Sequence, residues 1–112
     1  MESNLINAIL ENNILLVQKQ IAKDFSPYCS DFPKDFETEI YSIESILSQV
    51  KLKLVEIMEV SEQKTLQLLY TIDVAEARFL ETTIKKDVLS NLADEILKRE
   101  AQKIYYRIKF SQ

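Results

Sequence analysis

The sequence predicts an all-α fold, an antiparallel bundle of about four helices in a single domain covering residues 1–112. Three observations lead there. The chain contains no glycine, the residue that most easily supplies the positive φ that tight β-turns demand. Both prolines, Pro27 and Pro33, fall in one short stretch, so nothing interrupts the remainder. Finally, Phe36, Ile40, Ile43, Leu47, Val50, Leu54 and Ile57 recur at alternating steps of four and three, which sets them on one stripe of a helix.

The first helix is expected from Ser3 or Asn4 to about Lys23, with Ile6, Leu10, Ile14, Val17 and Ile21 on one face. Asn12-Asn13 is its soft point, because asparagine competes with the helical backbone for hydrogen bonds. A loop follows over residues 24–34, where each proline biases its predecessor away from helix. The seven-residue stripe then predicts one continuous helix over residues 36–57, roughly 33 Å long. Asp35 is its natural cap, with Glu37 and Glu39 against the positive end of the dipole. Ile46, Val55 and Met58 flank the stripe and widen it.

Ser61 reads as the cap of a third helix carrying Leu66, Leu69, Tyr70, Val74, Ala77 and Leu80, broken near Asp73. A fourth runs from about Lys85 to the penultimate turn, with Val88, Leu89, Leu92, Ala93, Ile96, Ile104 and Ile108 inward. A competing α+β reading makes a small antiparallel sheet from residues 50–60, 65–74 and 103–110, where apolar residues also alternate. It suffers from the lack of Gly, Asn or Asp in the turn Ser61-Glu-Gln-Lys64.

Composition limits the chemistry. There is no histidine, hence neither the usual general base nor the usual transition-metal ligand. Without glycine, phosphate loops and dinucleotide fingerprints are excluded. Cys29 is the single cysteine, so no intramolecular disulfide forms. It also lacks the neighbouring cations that would activate a thiol, apart from Lys34. The beginning of the chain has no positive region of a secretory signal, and no apolar run approaches bilayer length. A cytoplasmic location with no membrane contact is expected, and richness in Ile, Lys, Glu and Asn suits a short bacterial protein from an AT-rich genome.

Charge is unevenly spread. Six acids (Asp24, Asp31, Asp35, Glu37, Glu39, Glu44) stand against Lys34 between residues 24 and 44, whereas five bases stand against Glu100 from Lys98 onward. Arg99, Lys103 and Arg107 are spaced to form one cationic row on a helix, with Tyr105, Tyr106 and Phe110 beside it. The same row could equally complement the helix dipole or pair with the acidic stretch, within the molecule or across a dimer. The aromatics Phe25, Tyr28, Phe32 and Phe36 either line a groove or pin the loop.

Two carboxylate pairs, Glu56/Glu59 and Asp73/Glu76, are spaced to hold Mg²⁺ through oxygen ligands if they face each other. Over those four residues the arrangement resembles all-helical nucleotide pyrophosphohydrolases, with the second pair in the opposite order. The best-supported expectation is a non-catalytic protein-interaction or assembly module without a cofactor, self-associating through helix faces as a homodimer or with a protein partner. Its candidate face is Arg99, Lys103, Arg107 and Tyr106. The alternatives are a nucleic-acid accessory protein using the basic helix, and the small Mg-dependent hydrolase.

Overall fold

A computed structural model describes residues 3–74 and 88–111. Five helices occupy them: α1 (Ser3–Asn12), α2 (Ile14–Phe25), α3 (Ile43–Val60), α4 (Glu62–Ile72) and α5 (Val88–Phe110). No strand occurs among the described residues. The all-α bundle therefore holds, and the three segments of the alternative sheet lie in α3, α4 and α5. The expected inward residues Ala77, Leu80 and Lys85's helix start fall outside the described residues.

The first helix is two helices. Asn13 leaves helical geometry (φ −135°, ψ 29°), and the side chain of Asn12 donates to Ala8 O at 3.0 Å. That side chain adds a second donor to a carbonyl of the last turn, the kind of local contact by which asparagine competes with the helical ladder. Ile6 and Ile9 before the bend, and Ile14, Val17, Ile21 and Phe25 after it, all reach the core.

The expected helix over 36–57 begins only at Ile43. Residues 34–39 form turns, with Phe36 N–H donating to Pro33 O at 2.9 Å and Glu39 N–H to Asp35 O at 2.8 Å. Asp35 caps nothing; its carboxylate accepts the Tyr41 hydroxyl. Ser42 is the cap, accepting from Ser45 N–H at 3.1 Å. The reason lies on α2. Gln18, fully buried, donates to Phe36 O (2.7 Å) and Glu39 O (2.8 Å) and accepts from Tyr41 N–H (2.9 Å). A helix through this stretch would need those same three backbone groups for its own ladder. Phe36 is buried as expected, yet from a turn, while Ile40 is 72% exposed. The buried stripe of α3 is Ile46, Val50, Leu54 and Ile57, so Ile46 displaces Ile43 and Leu47 from the centre.

Ser61 ends α3 and starts α4. Its N–H bonds Ile57 O at 2.9 Å while its hydroxyl accepts from Lys64 N–H at 3.2 Å. Ser61→Ala is expected to cost about 1 kcal/mol in urea unfolding, the usual value of such a cap. At the other end of α4, Asp73 adopts φ 70°, ψ 41°, and Val74 N–H reaches back to Leu69 O at 2.8 Å. This is a Schellman-type stop. Asp, one of the few residues that tolerate the left-handed region, stands where glycine is usual.

Helix α5 packs on each of the other four helices and supplies Leu92, Ala93, Ile96, Leu97, Ala101 and Ile104 to the core. Leu97 and Ala101 extend its predicted inward face, and Leu89 and Ile108 lie at the edge of the core.

Candidate functional site

The predicted cationic row does not face solvent as a row. Arg99 pairs through Nη2 with Asp73 at the end of α4. Lys103 Nζ lies 2.8 Å from Asp24 Oδ2 on α2 and 3.0 Å from Thr71 O. A lysine thereby satisfies one of the carbonyls left open at the end of α4. Arg107 donates to Gln20 Oε1, and Gln20 Nε2 donates to Asp24 Oδ1 at 2.9 Å. The three cations clamp α5 onto α2 and α4. Of the six acids between residues 24 and 44, only Asp24 pairs with them.

One member of this network was not anticipated. Glu100 is fully buried, with Lys103 Nζ 3.2 Å from its Oε1. Burial first, then the charge of Asp24, pushes its carboxyl up to about 8, with Lys103 pulling the other way. At neutral pH Glu100 therefore holds its proton between Asp24 and Lys103. The signal was present in the spacing: Glu100 stands four residues from both Ile96 and Ile104, inside the apolar stripe. Gln18 and Gln20 were also missed, since sequence patterns assign glutamine to the surface.

Arg107 stays exposed while it bonds Gln20, and Tyr106 also faces outward. The tyrosine is 44% exposed and Phe110 is 74% exposed. Their rings stack at 6.1 Å between centroids, with Tyr105 edge-on to Tyr106 at 5.4 Å. Lys109 Nζ sits 5.6 Å from the Tyr105 ring and 5.8 Å from that of Phe110.

The loop aromatics pin rather than gape. Phe25, Phe32, Phe36 and Tyr41 form a chain of ring contacts, and Tyr28 shares a hydrogen bond with Thr71 at 3.2 Å. Only Phe32 among them lines the neighbouring cavity of about 640 Å³, together with Lys19, Lys23, Lys34 and Glu37. Cys29 is half-buried, and burial followed by the charge of Glu56 raises its thiol to about 11 despite Lys53. Against an ordinary value of 9.0, that leaves roughly a hundredfold less thiolate at neutral pH. Alkylation of the native protein should be slower than that of the urea-unfolded chain by a similar factor.

The four carboxylates proposed for Mg²⁺ go separate ways. Glu56 accepts from Ser30 N–H and from its hydroxyl, the latter at 2.6 Å. Those hydrogen bonds hold its carboxyl below the usual range. Asp73 is taken by Arg99, Glu59 is exposed on α3, and Glu76 lies outside the described residues. Among the described residues, no three carboxylates or thiols gather as metal ligands would. No described helix is long and apolar enough to cross a membrane.

Compared with protein-family models, with curated proteins and with solved structures, the chain gives no significant match.

Proposed function

We propose that this chain is a non-catalytic protein-interaction or assembly module that self-associates through exposed helix faces. The observation that carries the reading is the aromatic end of α5. Tyr106 and Phe110 stack on each other yet remain 44% and 74% exposed, while Arg99 and Lys103 of the same helix are tied to Asp73 and Asp24. Aromatic side chains bring large contact area with little conformational freedom to lose, and they dominate interface energetics. Lys109 beside them supplies charge at the rim, where it adds specificity more than affinity.

A nucleic-acid role for Arg99, Lys103 and Arg107 is the weaker reading, because phosphate would have to displace Asp73, Asp24 and Gln20. The experiment is sedimentation velocity from micromolar to hundred-micromolar protein, with Phe110→Ser as the variant. The wild type is expected to associate, and the exposed substitution to weaken that association about tenfold or more without lowering stability. A monomeric wild type that also captures no Phe110-dependent partner under mild salt would end the interaction reading.

A further inference from the structure

The interaction reading leaves the partner unspecified, and the surface around α2 specifies one. Gln18 and Gln20 are two residues apart, hence about 200° apart around the helix. Gln18 holds the loop at Phe36, Glu39 and Tyr41, and Gln20 holds Arg107 of α5. The loop and the end of α5 therefore lie on opposite flanks of α2. Between them, on the outward side of that helix, come Leu16, which is 42% exposed, and the exposed Lys19.

The two flanks have opposite character. On one, Ile40 stands 72% exposed in a stretch that carries the exposed Glu37, Glu39 and Glu44. Lys34 of the loop and Lys19 and Lys23 of α2 lie around the cavity on the Glu37 side. None of the three carboxylates enters an ion pair among the described residues. On the other, Phe110 and Tyr106 stand exposed beside Arg107 and Lys109. Each flank is an apolar centre with charge around it, and the charges are complementary. The two cannot meet within one molecule, because α2 separates them.

We propose that the aromatic end of α5 docks on the Ile40 flank of a second copy of this chain, in a twofold-symmetric dimer whose axis runs along α2. This rests on the interaction reading above. An axis in that direction lays each acidic flank over the partner's basic flank and brings Leu16 and Lys19 towards their own symmetry mates. Glu37 beside Lys19 offsets the lysine's charge. An axis across α2 would instead set acid against acid and base against base. The interface is isologous and closes at two copies. Ile40 and Phe110 provide the desolvated centre of each half, and the surrounding charges fix the register.

Charge reversal tests the pairing. One variant carries Lys109→Glu, the other Glu37→Lys with Glu39→Lys; all three positions are exposed, and thermal unfolding checks that each variant folds. Each variant alone is expected to associate about tenfold more weakly than the wild type. Mixing the two restores association, because in the mixed dimer one half pairs reversed with reversed and the other pairs native with native. Added salt should weaken the wild-type dimer, since its charges lie at the rim. As an independent readout, Leu16→Cys in a Cys29→Ser background should cross-link to a dimer on mild oxidation.

Weakening without recovery on mixing overturns the reciprocal geometry and leaves the interaction reading intact. Association unaffected by either reversal also overturns it, and Phe110→Ser then reports whether the end of α5 is a contact at all. A wild type that stays monomeric while retaining a Phe110-dependent partner overturns the second copy as occupant and keeps α5 as the docking element.

Discussion

Replacing Gln18 with leucine is expected to destabilise the protein by about 4 kcal/mol and to lower its melting midpoint by more than about 10 °C. The side chain uses both N–H donors and its carbonyl oxygen, its full inventory, on three backbone groups of one loop. Leucine fills a similar volume but strands all three. A buried group left unpaired costs about 1–3 kcal/mol, and water reaching Glu39 and Tyr41 keeps the sum below three full penalties. Gln18→Glu separates hydrogen bonding from shape. The ionised carboxylate has no donor for Phe36 O or Glu39 O and would face both carbonyls, so it should be at least as damaging at neutral pH. Acidification should partly rescue it by returning one O–H donor. Urea unfolding measures both variants, and a loss under about 1 kcal/mol for Gln18→Leu would show that the loop is held by its aromatics instead.

The second large effect is on pH dependence, through Glu100. In the folded chain its carboxyl titrates near 8, against 4.5 for an ordinary glutamate. Below that ordinary value both folded and unfolded chains carry the proton, and the full contribution to stability is present. As pH rises beyond it, the unfolded chain releases the proton while the folded chain retains it. Stability therefore falls by up to about 1.4 kcal/mol per pH unit towards pH 8. Above that the folded carboxyl ionises too, and the decline levels off. Glu100→Gln keeps the shape and removes the titration. The variant should show a flatter stability profile between pH 5 and 8 and exceed the wild type by up to about 5 kcal/mol at pH 9. Parallel urea midpoints for the two proteins across that range would place the proton elsewhere.

The helices were legible wherever a local signal and the tertiary contacts agreed. Ser61 announces α4 because its hydroxyl has one obvious use, and Asp73 interrupts an apolar face at the position where α4 stops. Asn12-Asn13 was visible as a weak point; that the weakness becomes a bend depends on the core, which pulls Ile9 and Ile14 inward from both sides. The start of α3 was not legible. Asp35 and Ser42 are equally good caps on paper, and Phe36 and Ile40 continue the stripe in phase. What decides is Gln18, a residue 18 positions from Phe36, and no periodicity reports a bond over that separation.

The candidate face divides in the same way. The cationic row was legible as a spacing, and pairing with the acidic stretch within the molecule was one of its readings, which Lys103 and Asp24 fulfil. The partners of Arg99 and Arg107 were not legible. Arg99 and Lys103 find Asp73 and Asp24, 26 and 79 residues away, pairings that exist only once α2 and α4 flank α5. Glu100 was hidden by its setting, since an acid between Arg99 and Lys103 looks like part of a solvated charge run. Its four-residue spacing from Ile96 and Ile104 said otherwise.

Because α5 touches each of the other described helices, the order in which the chain is made matters. The α1–α2 pair and the α3–α4 pair contact each other directly mainly through α2 and α4. Without α5, the apolar faces that these four helices turn towards it are left uncovered. Closure of that core waits for the 23-residue rod of α5. Until then the nascent segment offers chaperones a longer-lived target than a bundle built pair by pair would.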